Sequence, residues 1–214
     1  MTSVYDAKIV GLPKIEDPRG NLSIIEQMKQ IPFEIKRAYW IYDVPGGKDR
    51  GGHAYKDNQE FIVALSGSFD VVLDDGHNKQ TFTLNRSYCG LLVPKGMWRT
   101  MTNFSTNSLA LVLSSTEYDE NDYIMDYNEF KQWRINSFQQ TVSPDAKTSI
   151  VANRERTMFQ AGEGKSVFDC SLCELNKMHD PEGNLTYVYE NIHVPFPINR
   201  VFYSYDIPGG EDRG

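Results

Sequence analysis

The feature that most limits the possible folds of this sequence is an internal repeat. Shifting the chain by 163 residues aligns residues 3–51 with 166–214 without a gap, and about 22 of the 49 positions are identical. Asp17–Leu22 reads D-P-R-G-N-L, and its counterpart Asp180–Leu185 reads D-P-E-G-N-L. Self-similarity at a fixed period indicates one structural unit used twice. We therefore expect residues 166–214 to be the N-terminal part of a second copy, and a longer parent to hold two whole domains.

The first copy is rich in strand signals. Its short segments of β-branched and aromatic residues, separated by turn residues at spacings near ten, predict a β-sandwich or barrel. These segments are residues 37–42, 60–65, 68–73, 80–84, 90–93 and 108–113. Asp75-Gly76 between two apolar runs predicts a hairpin. Helical spacing of apolar residues over 121–133 predicts a short C-terminal helix that packs on the barrel.

These patterns divide the chain into three parts. Residues 1–133 are predicted to form one all-β domain that ends in the short helix. Residues 134–165 are polar and interrupted by Pro144, Gly162 and Gly164, which is typical of a linker. Residues 166–214 are predicted to be the incomplete second repeat.

Charge and composition exclude several classes of partner. The net charge of −7 and the pI near 5.1 argue against a general nucleic-acid or anionic-membrane binder. No apolar run approaches the roughly 20 residues needed to cross a bilayer, and the N-terminus lacks the pattern of a secretory signal. We predict a cytoplasmic protein with neither nucleic-acid nor membrane partners.

Two motifs in the first copy resemble those of cupins. The pattern Gly47-x5-His53-x-Tyr55-x4-Glu60-x6-Gly67 resembles the first cupin motif, and Pro94-x-Gly96-x2-Arg99-x3-Asn103 resembles the second. The resemblance implies an RmlC-like jelly-roll barrel. Metal-binding cupins use three His and one Glu, but here Tyr55 and Arg99 stand at two of those places. A guanidinium cannot bind a divalent ion, and two ligands do not make a stable site. We predict no metal and no cofactor.

A closer resemblance is to the sugar-nucleotide 3,4-ketoisomerases related to the C-terminal domain of WxcM. The segments that carry it are residues 17–22, 31–37, 50–56, 73–76 and 119–124. The resemblance implies conversion of a dTDP-linked 4-keto-6-deoxyhexose into its 3-keto isomer. It also implies pairing of barrels, as a homodimer or between tandem cupin copies.

The implied chemistry assigns roles to particular residues. Moving a ketone from C4 to C3 requires a base that is neutral near pH 7, and His53 is the candidate. Arg99 would stabilise the enediolate. Tyr55 stands where the family has a second His, so it is predicted either to act as the acid partner or to leave the copy without activity. The predicted substrate-binding residues are Arg19, Asn21, Arg37, Arg50, Lys56 and Glu60, with the basic ones directed to the pyrophosphate.

Three alternatives stay open on the sequence. The chain could be a catalytically silent cupin that binds sugar nucleotides, because His-x-Tyr replaces His-x-His at residues 53–55. It could be a nucleotide-sugar 3,5-epimerase, which uses the same carbanion chemistry at other carbons. It could also be a structural dimerisation barrel that binds no ligand.

Overall fold

The computed structural model describes residues 2–140 and 173–210. The strands of the first copy are β1 Lys8–Gly11, β2 Lys14–Ile15, β3 Asn21–Glu26, β4 Arg37–Tyr42, β5 Arg50–Tyr55, β6 Glu60–Ser66, β7 Phe69–Asp74, β8 Lys79–Leu84, β9 Cys89–Val93, β10 Trp98–Thr102, β11 Leu109–Ser114 and β12 Tyr123–Ile124. A helix, α1, spans Tyr127–Gln140, and the second copy contributes β13 Lys177–Met178, β14 Asn184–Tyr189 and β15 Arg200–Tyr205. Single-turn 3₁₀ helices occupy Val4–Asp6 and Glu120–Asp122. In the described part of the chain no helix is long and apolar enough to span a bilayer.

The strands form two large sheets and one small sheet. A seven-stranded sheet has the order β1-β9-β6-β11-β4-β14-β13, and a five-stranded sheet has the order β12-β5-β10-β7-β8. Apolar side chains from both sheets, among them Ile62, Val71 and Met101, form one buried cluster. The alternation of side chains along each strand directs one face of each sheet into this core. The predicted all-β architecture is confirmed, and β7 and β8 form the predicted hairpin.

The C-terminal helix differs from its predicted bounds. It begins at Tyr127 rather than 121, because Tyr123 and Ile124 pair with β5 instead of entering the helix. The Asp126 carboxylate accepts hydrogen bonds from the backbone N–H groups of residues 128 and 129, which caps the helix there. The helix also continues into the predicted linker, where Arg134 is buried and donates to three backbone carbonyls. The remainder of that linker lies outside the described residues.

The second copy pairs with the first in a reciprocal way. Strand β14 runs antiparallel to β4, with Asn184 opposite Tyr42. Strand β15 runs antiparallel to β3, with Tyr205 opposite Asn21. A shift of 163 residues converts 21 into 184 and 42 into 205, so the two pairings are one pairing with the copies interchanged. The isolated bridge between residues 35 and 198 joins equivalent positions, as expected on a pseudo-two-fold axis.

Side-chain contacts repeat the same symmetry. The Asn184 amide donates to the Asp43 carboxylate at 2.8 Å, and the equivalent Asn21 amide donates to Asp206 at 3.1 Å. Gly183 has a φ of +127°, and a Cβ there would lie 2.8 Å from a methyl carbon of Val44. Only glycine combines that backbone conformation with so close an approach. The paired strands are therefore joined by specific contacts in addition to the ladder hydrogen bonds.

We expect Asn184→Ala to lower the free energy of unfolding by about 1–2 kcal/mol, because it removes a hydrogen bond to a charged acceptor from a buried amide. Asn21→Ala is the matched control, since its equivalent bond lies at an exposed site and its loss should cost less. Urea unfolding of both variants measures the difference. Equal stabilities would contradict the proposed importance of the Asn184 contact.

Candidate active site

A pocket of about 510 Å³ lies where strands of the two large sheets and of the second copy meet. Strand β4 contributes Arg37 and Tyr39, and β5 contributes Arg50, His53 and Tyr55. The other residues that line it are Ile41, Gly51, Arg99, Tyr118, Tyr123, Met125, Met178, Leu185, Tyr187 and Tyr189. The pocket thus brings together all three predicted catalytic residues and two of the predicted phosphate-binding arginines.

A buried ion pair forms the inner end of the site. The Arg99 Nε donates to Glu60 Oε2 at 2.9 Å, and the side chains are 3% and 2% exposed. The Tyr39 hydroxyl donates to Glu60 Oε1 at 2.6 Å, and Arg99 Nη2 lies 3.3 Å from that hydroxyl. Burial opposes the charge of Arg99, but the Glu60 carboxylate together with Tyr39 and Tyr55 outweighs it, and the guanidinium pKa is raised. Glu60 therefore holds Arg99 in place and does not itself line the pocket.

His53 faces this ion pair. Its Nε2 lies 3.3 Å from Arg99 Nη2, and because a guanidinium only donates, Nε2 must be the acceptor. The ring proton is thereby assigned to Nδ1. Burial, and next the positive charge of Arg99, lower the pKa of His53 well below its usual range. The imidazole is neutral at pH 7, which is the form that a general base requires.

Two tyrosines flank the histidine. The Tyr55 hydroxyl donates to the Tyr123 hydroxyl at 3.0 Å, and both rings contact the His53 ring at centroid distances of 4.9 and 5.2 Å. Burial raises the pKa of Tyr55 well above its ordinary value. Tyr55 is therefore a neutral phenol that can donate a proton or a hydrogen bond but cannot act as a base near pH 7. This chemistry fits the acid-partner alternative.

Two arginines of the pocket have unused donors. Arg37 is 5% exposed, and its Nη2 lies 3.4 Å from Ser114 Oγ. Arg50 Nη1 lies 3.2 Å from Asp180 of the second copy. The buried Nε of each arginine has no hydrogen-bond partner in the described part of the protein. Because buried donors are normally satisfied, these two N–H groups are suited to an anionic ligand.

The other predicted binding residues do not line this pocket. Arg19 is paired with Asp17 at 3.0 Å, and Asn21 is bonded to the second copy. Lys56 donates to the carbonyl of Asn121 at 2.6 Å. The reciprocal pairing explains the first two positions, because it joins the loop before β3 to β15 of the second copy. The substrate-binding roles of Arg19, Asn21 and Lys56 stay predictions.

Several pocket residues were not predicted from the sequence. Tyr123 lies in a segment that carried the family resemblance, and its pairing opposite Tyr55 could have been inferred only from the sheet. Tyr187 and Tyr189 come from the second copy, and no local signal assigns them to the site of the first. Within residues 2–140 and 173–210, no group of three or more His, Cys, Asp or Glu could hold a metal ion. That the site binds no metal stays a prediction.

Sequence comparisons relate this chain to known proteins. The family model described as FdtA, WxcM-like, C-terminal, matches residues 5–135 and 168–214. The TDP-4-oxo-6-deoxy-alpha-D-glucose-3,4-oxoisomerase of Aneurinibacillus thermoaerophilus is 44% identical over 126 residues, which are 59% of this chain and 91% of that protein.

Solved structures give the same result. A 3,4-ketoisomerase from Helicobacter canadensis is 45% identical, with a TM-score of 0.60, over 61% of this chain and 98% of that one. QdtA, a sugar 3,4-ketoisomerase from Thermoanaerobacterium thermosaccharolyticum in complex with TDP, is 32% identical with a TM-score of 0.61, over 64% and 99% of the two chains. These matches and the facing sheets confirm the predicted cupin-type fold.

Proposed function

Because this chain belongs to the FdtA, WxcM-like C-terminal family, we propose that it is an isomerase that moves the keto group of a TDP-linked 4-keto-6-deoxyhexose from C4 to C3. The observation that carries the proposal is the neutral, buried His53 beside fixed hydrogen-bond donors, in a pocket that also contains unpaired arginine N–H groups. The relative at 44% identity is named for this reaction on a TDP-linked sugar, and the one at 45% identity is named a 3,4-ketoisomerase.

The proposed reaction needs no external reactant. His53 Nε2 takes the proton from C3, the C3–H electrons form a C3–C4 double bond, and the former C4 carbonyl oxygen becomes an enediolate oxygen. The O3 hydroxyl then loses its proton, C4 gains one and the oxygen on C4 gains one, which leaves a ketone at C3 and a hydroxyl at C4. Atoms and charge balance, because the protons removed from C3 and O3 are matched by those added to C4 and O4. The substrate must displace Arg99 Nη2 from His53 Nε2, which the long 3.3 Å contact favours.

The developing negative charge has donors nearby. The hydroxyls of Tyr55 and Tyr123 and the guanidinium of Arg99 can donate to the enediolate oxygens. Because Glu60 already neutralises Arg99, we assign Arg99 mainly a hydrogen-bonding role and Tyr55 the role of acid partner. Arg37 and Arg50 are assigned to the pyrophosphate, where their free N–H groups supply charge-assisted bonds.

We also propose how the chain is organised and where it acts. The first cupin copy ends with α1, and the second copy contributes strands that stand in for those of a partner barrel. In a homodimer, a second chain would supply the equivalent strands. The proposed location is the cytoplasm, where nucleotide-linked sugars would be substrates in solution.

Incubation with dTDP-4-keto-6-deoxyglucose in deuterated water, followed by NMR, tests the function. We expect deuterium to enter at C3 of the substrate and at C4 of a 3-keto product. Exchange at C3 and C5 would instead support the 3,5-epimerase alternative. Binding of the sugar nucleotide without exchange would support the silent cupin. Absence of binding would contradict the isomerase, the epimerase and the silent cupin alike.

A further inference from the structure

The wall of the pocket contributed by the second copy has its own chemistry. Side chains alternate along β14, so Leu185 and Tyr187 pack against the core between the large sheets, whereas Val188 packs on the other side. Tyr189 lies on the same face as Tyr187, and both line the pocket with Met178 of β13. This face carries rings and apolar groups, while the first copy supplies the arginines. The pocket therefore offers separate surfaces to a planar group and to an anion.

The two rings are held in fixed positions. The Tyr187 and Tyr189 centroids are 5.1 Å apart. His193 stacks on Tyr189 at 5.7 Å with an interplanar angle of 23° and meets Tyr187 edge-on at 5.6 Å. The His193 Nδ1 also accepts the backbone N–H of Tyr189 at 3.1 Å. An aromatic surface that is ordered in this way loses little entropy when a ligand stacks on it.

The fold itself does not require these rings. Strand β3 makes the same pairing with the second copy that β14 makes with the first, and its residues equivalent to Tyr187 and Tyr189 are Ile24 and Glu26. An aliphatic and an acidic side chain are thus compatible with the strand pairing. The two tyrosines call for a reason other than pairing, and their place in the pocket indicates ligand recognition.

We propose that Tyr187 and Tyr189 of the second copy bind the nucleobase of the sugar nucleotide that the first copy isomerises. The inference rests on the proposed function and adds the recognition of the base to it. In the turn before β14, Asp180 positions Arg50 by accepting from its Nη1 at 3.2 Å, which leaves the buried Nε for the diphosphate. The second copy is then a specificity-determining part of the first copy's site.

Calorimetric titration with dTDP and with inorganic pyrophosphate tests the proposal on the full chain. Tyr189→Ala and Tyr187→Ile should each raise the Kd of dTDP by about 5- to 150-fold, the range expected for a lost base–aromatic stack. The Kd of pyrophosphate should be unchanged. Tyr189→Phe keeps the ring and should bind dTDP like the parent. Thr186→Ala, on the opposite face of β14, is the control for damage to the strand.

Three results would overturn the proposal. Unchanged dTDP affinity in both tyrosine variants of an active parent would refute base recognition and leave the isomerase function intact. Equal loss of dTDP and pyrophosphate affinity would show that the tyrosines only hold the wall in place. Failure of the parent chain to bind dTDP would overturn this proposal together with the proposed function. Tyr187→Ile copies the residue that β3 carries, so it provides a folded variant if Tyr189→Ala does not fold.

Discussion

Replacing His53 by asparagine should lower the turnover of the isomerisation by about 10²- to 10⁴-fold, the usual contribution of a positioned general base. Arg99 Nη2 also lies 3.3 Å from Glu60 Oε1 and from the Tyr39 hydroxyl, so this buried donor stays satisfied and the fold should persist. NMR with the dTDP-linked 4-keto sugar in deuterated water gives both the rate of C3 exchange and the rate of product formation. Near-normal rates would remove His53 from the mechanism.

The pH dependence gives an independent check of the same role. Burial and the charge of Arg99 lower the pKa of His53 below its ordinary 6.5, and only the neutral ring can take a proton. The value of kcat/KM, which reports the free enzyme, should therefore persist above that lowered pKa. It should decline only as the pH falls through that pKa, at a value below 6.5. This limb should be absent from the residual activity of His53→Asn. A limb at pH 7 or higher would mean that another group controls the reaction.

The second large effect is expected for Glu60→Ala. Removing one member of a buried ion pair leaves the other charge uncompensated, which typically costs about 3–5 kcal/mol. Here the loss would strand the Arg99 guanidinium and deprive the Tyr39 hydroxyl of its acceptor. We expect urea or guanidinium unfolding to show a reduction of that size, together with loss of dTDP-sugar isomerisation.

Matched variants separate charge from packing at Glu60. Glu60→Gln keeps the shape and can still accept from Arg99, so it should be less destabilising than the alanine variant. Glu182→Ala removes an exposed partner, 3.9 Å from Lys48, and should change stability little. A Glu60→Ala protein as stable as Glu182→Ala would show that the buried pair makes no net contribution.

Runs of β-branched and aromatic residues predict the strands that contain them. Residues 37–42 were predicted as a strand and form β4 with the same bounds. The strand signals do not mark β5, because Gly51 and Gly52 interrupt its pattern, and both have positive φ at the register shift between β5 and β10. The helix was predicted too early, because apolar spacing does not reveal that Tyr123 and Ile124 pair with β5.

The sequence by itself determined the repeat and the all-β unit, because both follow from self-similarity and strand periodicity. The resemblance to cupin motifs implied a common site for His53, Tyr55 and Arg99, and all three line one pocket. Only the tertiary structure decided which copy completes that site. Strands β3 and β14 both begin with Asn-Leu and differ most where Ile24 and Glu26 replace Tyr187 and Tyr189, and either could in principle lie beside β4. A strand edge presents backbone N–H and C=O groups, which do not distinguish one matching strand from another. The reciprocal pairing moves Arg19 and Asn21 to the other side of the pseudo-two-fold axis and places Asp180, Tyr187 and Tyr189 at the pocket of the first copy.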